Sequence, residues 1–261
     1  MKQNLKGKVA LVTGASSGIG AAIAVALAKK GARLALVARN EERLKKVTES
    51  VQALGAEAVY YLADTRNMEQ INAAVAGTIE HFGQLDIACC NAGIYFRCPT
   101  TKLTTDQIRE VMETNFYGNL NTAYAVLPHM RQRKSGSIIL TVSMDGKKGV
   151  PPDAAYVASK FAMNGFFQVM RQEVRSEGIH VGMLFPSRTD TPQIANLDCP
   201  WSTPKASPAQ MGKAVVHMLE HRKKEMMVPC LPCKFLAWSD TISPSLGDFW
   251  IRVLKLDGVE R

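Results

Sequence analysis

From residue 9 onward, short apolar runs alternate with stretches of helical periodicity, and this alternation leaves few folds open. Apolar runs at 9–13, 33–38, 57–62, 85–89, 137–142, 179–185 and 225–228 are predicted strands. Helical patterns at 18–30, 40–53, 68–82, 105–115, 117–133, 154–176 and 207–221 lie between them. Strands this uniformly apolar are covered on both faces, which requires a parallel sheet with helices packed on either side. Right-handed crossovers then give a single doubly wound, Rossmann-type α/β domain with a parallel sheet of about seven strands. In such a sheet, ligands bind beyond the carboxyl ends of the strands, near the point where strand order reverses. The residues just after each strand are therefore where chemistry is sought.

No Pro-, Gly- and Ser-rich linker divides the chain. Residues 1–229 read as one domain, and 230–261 as a C-terminal amphipathic extension packed on that domain or on a partner. In the extension, Ile242, Leu246, Phe249 and Val253 fall on one helical stripe. Its functional alternative is a helix lying on a membrane surface or gating a pocket. The formal net charge is +9, which favours anionic ligands. The basic residues are scattered, which argues against nucleic acid, and Arg222-Lys223-Lys224 sits at a helix end where cations suit the dipole. The six cysteines lack zinc-type pairing and read as free thiols of a reducing cytosol. Cys230-Leu231-Pro232-Cys233 has redox spacing but is expected to lack the strand and helix start that activate a thiol. His217 and His221, with Glu220 between them, read as solvated rather than as metal ligands. Without a secretory signal or an apolar stretch of ~20 residues, the expected location is cytoplasmic.

The first strand ends in Thr13-Gly14-Ala15-Ser16-Ser17-Gly18-Ile19-Gly20. Gly14 permits a sharp exit from the strand, Gly18 a close approach of backbone to a pyrophosphate, and Gly20 tight packing of the helix on the sheet. The helix start offers free N–H groups and a positive dipole end to phosphates, so Ser16, Ser17 and Ile19 are candidate contacts together with the glycines. After the second strand stands Ala38-Arg39-Asn40, where NAD-binding chains carry a carboxylate. Arg39 suits a 2′-phosphate through its planar fork, so NADP(H) is expected over NAD(H). Asp64 after the third strand and Asn91-Ala92-Gly93 after the fourth stand at the same edge.

Tyr156-Val157-Ala158-Ser159-Lys160 opens the helix after the fifth strand, and i, i+4 spacing puts Tyr156 and Lys160 on one face. An ammonium beside a phenol favours the phenolate and is expected to draw its pKa down from about 10. The pair then serves as general acid for carbonyl reduction or base for alcohol oxidation. Ser143, at the end of the fifth strand, is placed to hydrogen-bond a substrate oxygen.

These elements in this order, residues 13–20, Asn91-Ala92-Gly93, Asn115, Ser143, and Tyr156 with Lys160, resemble the short-chain dehydrogenase/reductase family over roughly residues 5 to 229. The resemblance implies an oxidoreductase in which Tyr156 transfers the proton, Lys160 lowers its pKa and holds the nicotinamide ribose, and Ser143 orients the substrate oxygen. It implies that Asn115 bends its helix and holds a water linked to Lys160, and that Asp64 contacts adenine. Pro186, Thr189 and Thr191 fall in the loop that meets the nicotinamide. It also implies a homodimer or homotetramer paired through helices 117–133 and 154–176. Three features depart from the family pattern: Cys90 in place of a first Asn, Ser187 in place of Gly after Pro186, and the long extension.

Tyr95, Met144, Val150 and Trp201 are the candidate substrate-pocket walls, and Arg97 and Arg188 either attract an anionic substrate end or face water. Lys147 and Lys148 are expected to face water. The leading expectation is an NADPH-dependent reductase of a hydrophobic or lipid-like ketone. Relatives with such a tail and a Thr189-Asp190-Thr191-Pro192 loop include reductases of lipid or sphingoid ketones. The alternatives are a 3-oxoacyl-carrier reductase and, in a different class, a non-catalytic NADP(H)-sensing protein.

Overall fold

The structure, a computed structural model, describes residues 2–199, 204–256 and 259–260, without the side chains of 230, 232, 233, 259 and 260. Strands β1 (Val9–Thr13), β2 (Arg33–Ala38), β3 (Ala58–Leu62), β4 (Ile87–Cys90), β5 (Gly136–Thr141) and β6 (Ile179–Pro186) follow one another in the chain. After β6 come the short β7 (Leu197–Asp198), β8 (Glu225–Val228) and β9 (Val259–Glu260). Seven of them form one parallel sheet in the order β3-β2-β1-β4-β5-β6-β8. The order reverses between β1 and β4, which pair through Leu11 and Ala88, and the crevice of a doubly wound fold opens there.

Helices α1 (Gly18–Ala28), α2 (Glu41–Gln52) and α7 (Pro208–His221) cover one face of the sheet. Their Ile23, Leu27, Leu44, Val51, Met211 and Val215 form one buried layer with Val12, Leu34 and Leu36. Helices α3 (Met68–Phe82), α4 (Thr105–Met112), α5 (Gly118–Gln132) and α6 (Ala154–Glu173) lie on the other side. There Ile71, Val126, Met163 and Phe167 pack on Leu11, Val37, Ile138 and Val181. Each fully buried side chain of this kind contributes about 1.5–3 kcal/mol, and the two layers together fix the strand edges from which the site is built. Asn40 caps α2 as expected, its side chain accepting from the Arg43 N–H at 2.9 Å.

The helix expected over 105–115 ends at Met112, and a π-helical segment, Glu113–Tyr117, joins it to α5. One extra residue per turn here rotates Asn115 inward, where it is fully buried. The antiparallel pairing of β7 with β9 was not anticipated.

The extension is two helices, α8 (Cys230–Ile242) and α9 (Pro244–Val253), not one. Ser243 is extended and Pro244 starts the second helix, so Ile242 and the other members of the expected stripe sit on different helices. That stripe does not pack on the domain. Ile242, Leu246, Phe249 and Val253 are exposed, as are Phe235 and Trp238. The buried contacts come instead from Ser239, Gly247, Ile251 and Leu256. The expectation that Lys147 and Lys148 face water is also corrected. Lys147 donates to Glu225 at 2.9 Å and lies over the Phe185 ring, and the buried Lys148 donates to Asp240 on α8 and Asp248 on α9. Runs of lysine carry no sign of which carboxylates the fold will bring to them.

Cys230 is the first residue of α8, directly after β8, so the strand and helix start expected to be missing are both present. Cys89, Cys90, Cys98 and Cys199 are free thiols. His217 and His221 are exposed with rings 4.4 Å apart. Among the described residues, no helix is long and apolar enough to cross a membrane.

Candidate active site

The glycine turn is held in shape by the chain itself. Gly14 and Gly18 have φ of +63° and +55°, in the left-handed region that side chains disfavour. A Cβ on Gly20 would lie 2.2 Å from the Gly14 carbonyl oxygen, so only glycine lets α1 start this close to β1. Thr13 Oγ1 accepts from the N–H groups of Asn91 and Ala92 at 3.0 and 3.2 Å, and Asn91 Nδ2 donates to the Thr13 carbonyl at 3.2 Å. These bonds bring the ends of β1 and β4 together across the switch point.

Helix α1 begins Gly18-Ile19-Gly20-Ala21, whereas α2 and α3 begin with Glu41-Glu42 and with Glu69 and carry Asn caps. Among the described residues, the Ser17 hydroxyl makes no capping bond. The first-turn N–H groups of α1 and its uncompensated positive end therefore face the trough beside it, which is the chemistry a phosphate needs. That trough, about 160 Å³, is lined by Gly14, Ser17, Gly18, Ile19, Asn91, Gly93, Tyr156, Lys160 and Thr191. The residues present fit a dinucleotide.

Asn115 ties the loop after β4 to the helix carrying Tyr156 and Lys160. Its Oδ1 accepts from the Ile94 N–H at 2.7 Å, and its Nδ2 donates to the Ile94 carbonyl at 2.9 Å and to Ser159 Oγ at 3.0 Å. Ser159 in turn donates to the Tyr156 carbonyl at 2.7 Å. Asn119 Nδ2 donates to the carbonyls of Ala92 and Asn115 at 2.8 and 2.6 Å. Ser159 and Asn119 were not singled out in the sequence, and only their position one helical turn from a candidate residue could have pointed to them.

Tyr156 and Lys160 share a face of α6 as expected. Lys160 is buried, donates to the Thr141 carbonyl at 3.1 Å, and its Nζ lies 5.3 Å from the centre of the Tyr156 ring. Burial lowers its pKa to about 8, against an opposing pull from the Asp145 carboxylate. The expected downward pull on the phenol is reversed in the protein taken by itself. Burial, and after it Asp145, push Tyr156 above the ordinary phenol value, while the Ser143 hydroxyl works in the other direction. The ammonium is directed at a carbonyl and the ring face rather than at the phenolic oxygen, so desolvation wins.

Ser143 donates to Asp145 Oδ2 at 3.0 Å and accepts from the Asp145 N–H at 3.1 Å. Burial first, and Asp153 second, raise the Asp145 pKa to about 6. Asp153 accepts from the Tyr95 hydroxyl at 2.7 Å and from Arg97 Nε at 3.0 Å. The Tyr95 ring meets Tyr156 edge-on at 4.9 Å. Asp145 and Asp153 were missed in the sequence, where acids in a loop between strand and helix look like solvated residues.

A second cavity, about 520 Å³, adjoins the trough. Tyr95, Ser143, Met144, Asp145, Val150 and Tyr156 line one side of it, and Val228, Leu236, Leu254 and Leu256 give it an apolar wall from β8 and the extension. Pro186 and Thr189 border this cavity rather than the trough, and Tyr156, Thr191 and Gln193 border both. Trp201 lies outside the described residues. Arg188 is not solvated but donates to the Leu256 carbonyl. Ser16, Gly20 and Ala92 support the turn without lining the trough. Arg39 and Asp64 stand apart from it. Arg39 is exposed, 3.7 Å from an Asp64 carboxylate that Arg66 holds at 2.6 Å. The hydrogen bonds from Arg66 keep Asp64 below the usual carboxylate range.

Residues 8–199 match the family described as short chain dehydrogenase. An uncharacterized oxidoreductase of Listeria innocua is 39% identical over 72% of this chain and 76% of its own length. A 3-dehydrosphinganine reductase of Arabidopsis thaliana is 36% identical over 72% of this chain and 57% of its own length. Among solved structures, an alcohol dehydrogenase from the archaeon Thermococcus sibiricus, complexed with 5-hydroxy-NADP, superimposes with a TM-score of 0.78 at 30% identity, covering 84% of this chain and 95% of that one.

Proposed function

Because this chain belongs to the short chain dehydrogenase family, and so is an oxidoreductase of that type, we propose that it reduces an apolar ketone with NADPH, Tyr156 giving the proton to the carbonyl oxygen. The observation that carries this reading is that Tyr156 borders both cavities, with Lys160 on the trough side and Ser143 on the other. A substrate oxygen between Ser143 and Tyr156 meets two hydroxyl groups that can donate to charge developing on it. A nicotinamide cofactor held in the trough would supply the hydride.

The chain's own groups do the rest. The phenol, held protonated by burial, is an acid ready to give up its proton as negative charge grows on the substrate oxygen. Lys160 keeps a positive charge beneath the ring and is fixed by the Thr141 carbonyl. Asn115 and Ser159 set the height of Tyr156 along α6 through its carbonyl. The N–H groups at the start of α1 would hold the pyrophosphate, and the exposed Arg39, only loosely paired with Asp64, would hold the 2′-phosphate.

The apolar wall contributed by Leu236, Leu254 and Leu256 favours a hydrophobic substrate over a small polar one, in keeping with the lipid ketone named by the Arabidopsis relative. Tyr117, Tyr124, Phe161 and Val169 are exposed on or beside α5 and α6, and these faces support pairing into a homodimer or tetramer.

The test is NADPH consumption over ketones of graded chain length, with NADH alongside and Tyr156→Phe as the variant. Turnover should fall by about 10²–10⁴-fold in the variant while NADPH binding is kept. Retained turnover in Tyr156→Phe defeats the assignment. A chain that binds NADPH yet reduces no ketone is the sensing protein instead.

A further inference from the structure

Ser143 has one hydroxyl proton, and in the structure that proton goes to Asp145 Oδ2. A serine that stabilises charge on a substrate oxygen must donate the same proton to the substrate. The two uses exclude each other. Among the described residues, Ser143 is the one side chain that hydrogen-bonds to Asp145. Turning it toward a substrate leaves a half-buried carboxylate on the cavity wall without a side-chain donor, which is costly. The other groups near Asp145 are engaged elsewhere. Lys160 donates to the Thr141 carbonyl and Arg188 to the Leu256 carbonyl. Asp153, the neighbouring acid, is already held by Tyr95 and Arg97.

We infer that the substrate replaces the donor it takes away: the ketone carries a hydroxyl or ammonium group on the carbon next to its carbonyl, and Asp145 receives it. The inference rests on the reductase reading above. The spacing matches on both sides. In such a ketone the donor lies about one hydrogen-bond length from the carbonyl oxygen, near 2.8 Å. In the protein, Ser143 Oγ and Asp145 Oδ2 are 3.0 Å apart. A substrate presenting the two groups side by side exchanges one internal hydrogen bond for two to itself. Asp145 opens onto the larger cavity next to Tyr156, so the receiving oxygen and the reacting oxygen share one wall. A plain ketone must instead compete with Asp145 for the Ser143 proton.

The experiment compares four ketones of one chain length with NADPH: a methyl ketone and its 1-hydroxy, 1-amino and 1-methoxy derivatives. The methoxy compound has the size of a substituent without the donor. Wild type should favour the hydroxy and amino ketones over the other two by about 10–100-fold in kcat/KM, the range set by one hydrogen bond to a charged group. Asp145→Ala should close that gap from both sides, lowering the two donors and raising the methyl ketone as Ser143 is released. Asp145→Asn, nearly isosteric, should retain part of the hydroxyketone preference and lose that for the ammonium. NADPH binding by each variant reports that it is folded. Equal rates on all four ketones in wild type, or the same preference in Asp145→Ala, overturn this inference and leave the reductase standing. Absence of turnover on every ketone overturns the reductase reading and this inference with it.

Discussion

Replacing Lys148 by Met removes a cation at the point where the extension is fastened to the loop after β5, while keeping an unbranched side chain. The Lys148 side chain is 11% exposed, and its Nζ lies 2.6 Å from Asp240 Oδ1 and 2.7 Å from Asp248 Oδ1. Asp248 is largely in solvent, and no stabilisation is counted for it. Asp240 is 27% exposed, and a charge-assisted bond in that setting contributes about 1–2 kcal/mol after discounting for solvent. If the loss falls on α8 and α9 alone, the population in which they open rises about 5–30-fold. Hydrogen exchange followed by mass spectrometry reads this directly: amides of α8 and α9 should speed by that factor while β1 to β6 keep their rates. Burial works against the Lys148 charge, but the hydrogen bonds it donates to Asp240 and Asp248 outweigh that and raise the pKa above 10.5. Its contribution is therefore complete below that value and lost as pH climbs beyond it. The lowered Asp248 contributes above 3.8 and loses its effect as pH falls through its folded value. The difference between wild type and Lys148→Met should thus be flat from about pH 5 to 9. Unchanged exchange in α8 and α9, or equal acceleration in the sheet, refutes the reasoning.

Three further outcomes are expected. Arg39→Asp should reduce the NADPH to NADH ratio of kcat/KM by about 10–100-fold, and an unaltered ratio removes Arg39 from the phosphate. Gly20→Ala puts a methyl 2.2 Å from the Gly14 oxygen and 2.7 Å from Asn91 Nδ2, so it should cost about 1–3 kcal/mol and lower the calorimetric Tm by roughly 2–4 °C for each of them. A wild-type Tm would show that the turn has room to yield. Lys160, lowered to about 8 by burial, loses its charge above that pH, so reductive kcat/KM should decline there, and Lys160→Arg should carry the decline to higher pH. The same shift makes the unfolded chain bind more protons than the folded one between about pH 8 and 10.5, so this residue's contribution to stability grows with pH across that window.

Strand ends and glycines were readable because each obeys a local rule. Residues 9–13, 33–38 and 225–228 are bounded as expected, and Asn40 caps α2 because its side chain satisfies a donor that any helix start leaves open. Tyr156 and Lys160 were readable because four residues of helix make one turn. The bend at Asn115 came only with the family resemblance, and its π-helical form was not readable, since one added residue shifts the periodicity by less than a short pattern can register. The single stripe expected in the extension was misleading for a different reason. Its apolar spacing runs across Ser243-Pro244, and periodicity identifies a greasy face without saying what, if anything, lies against it. Asp145 and Lys148 illustrate the largest gap. A charge in a loop is solvated by default, and only the fold discloses that one sits against Ser143 and the other between two helices.

The stitching of Thr13 to Asn91 and Ala92 has its own consequence for recognition. If the trough seats a pyrophosphate as proposed, these bonds internal to the chain already join its walls, and the ligand's affinity should reflect contact more than assembly. Under the proposed function, Thr13, buried inside the strand end, would act on the grip of the nucleotide without touching it.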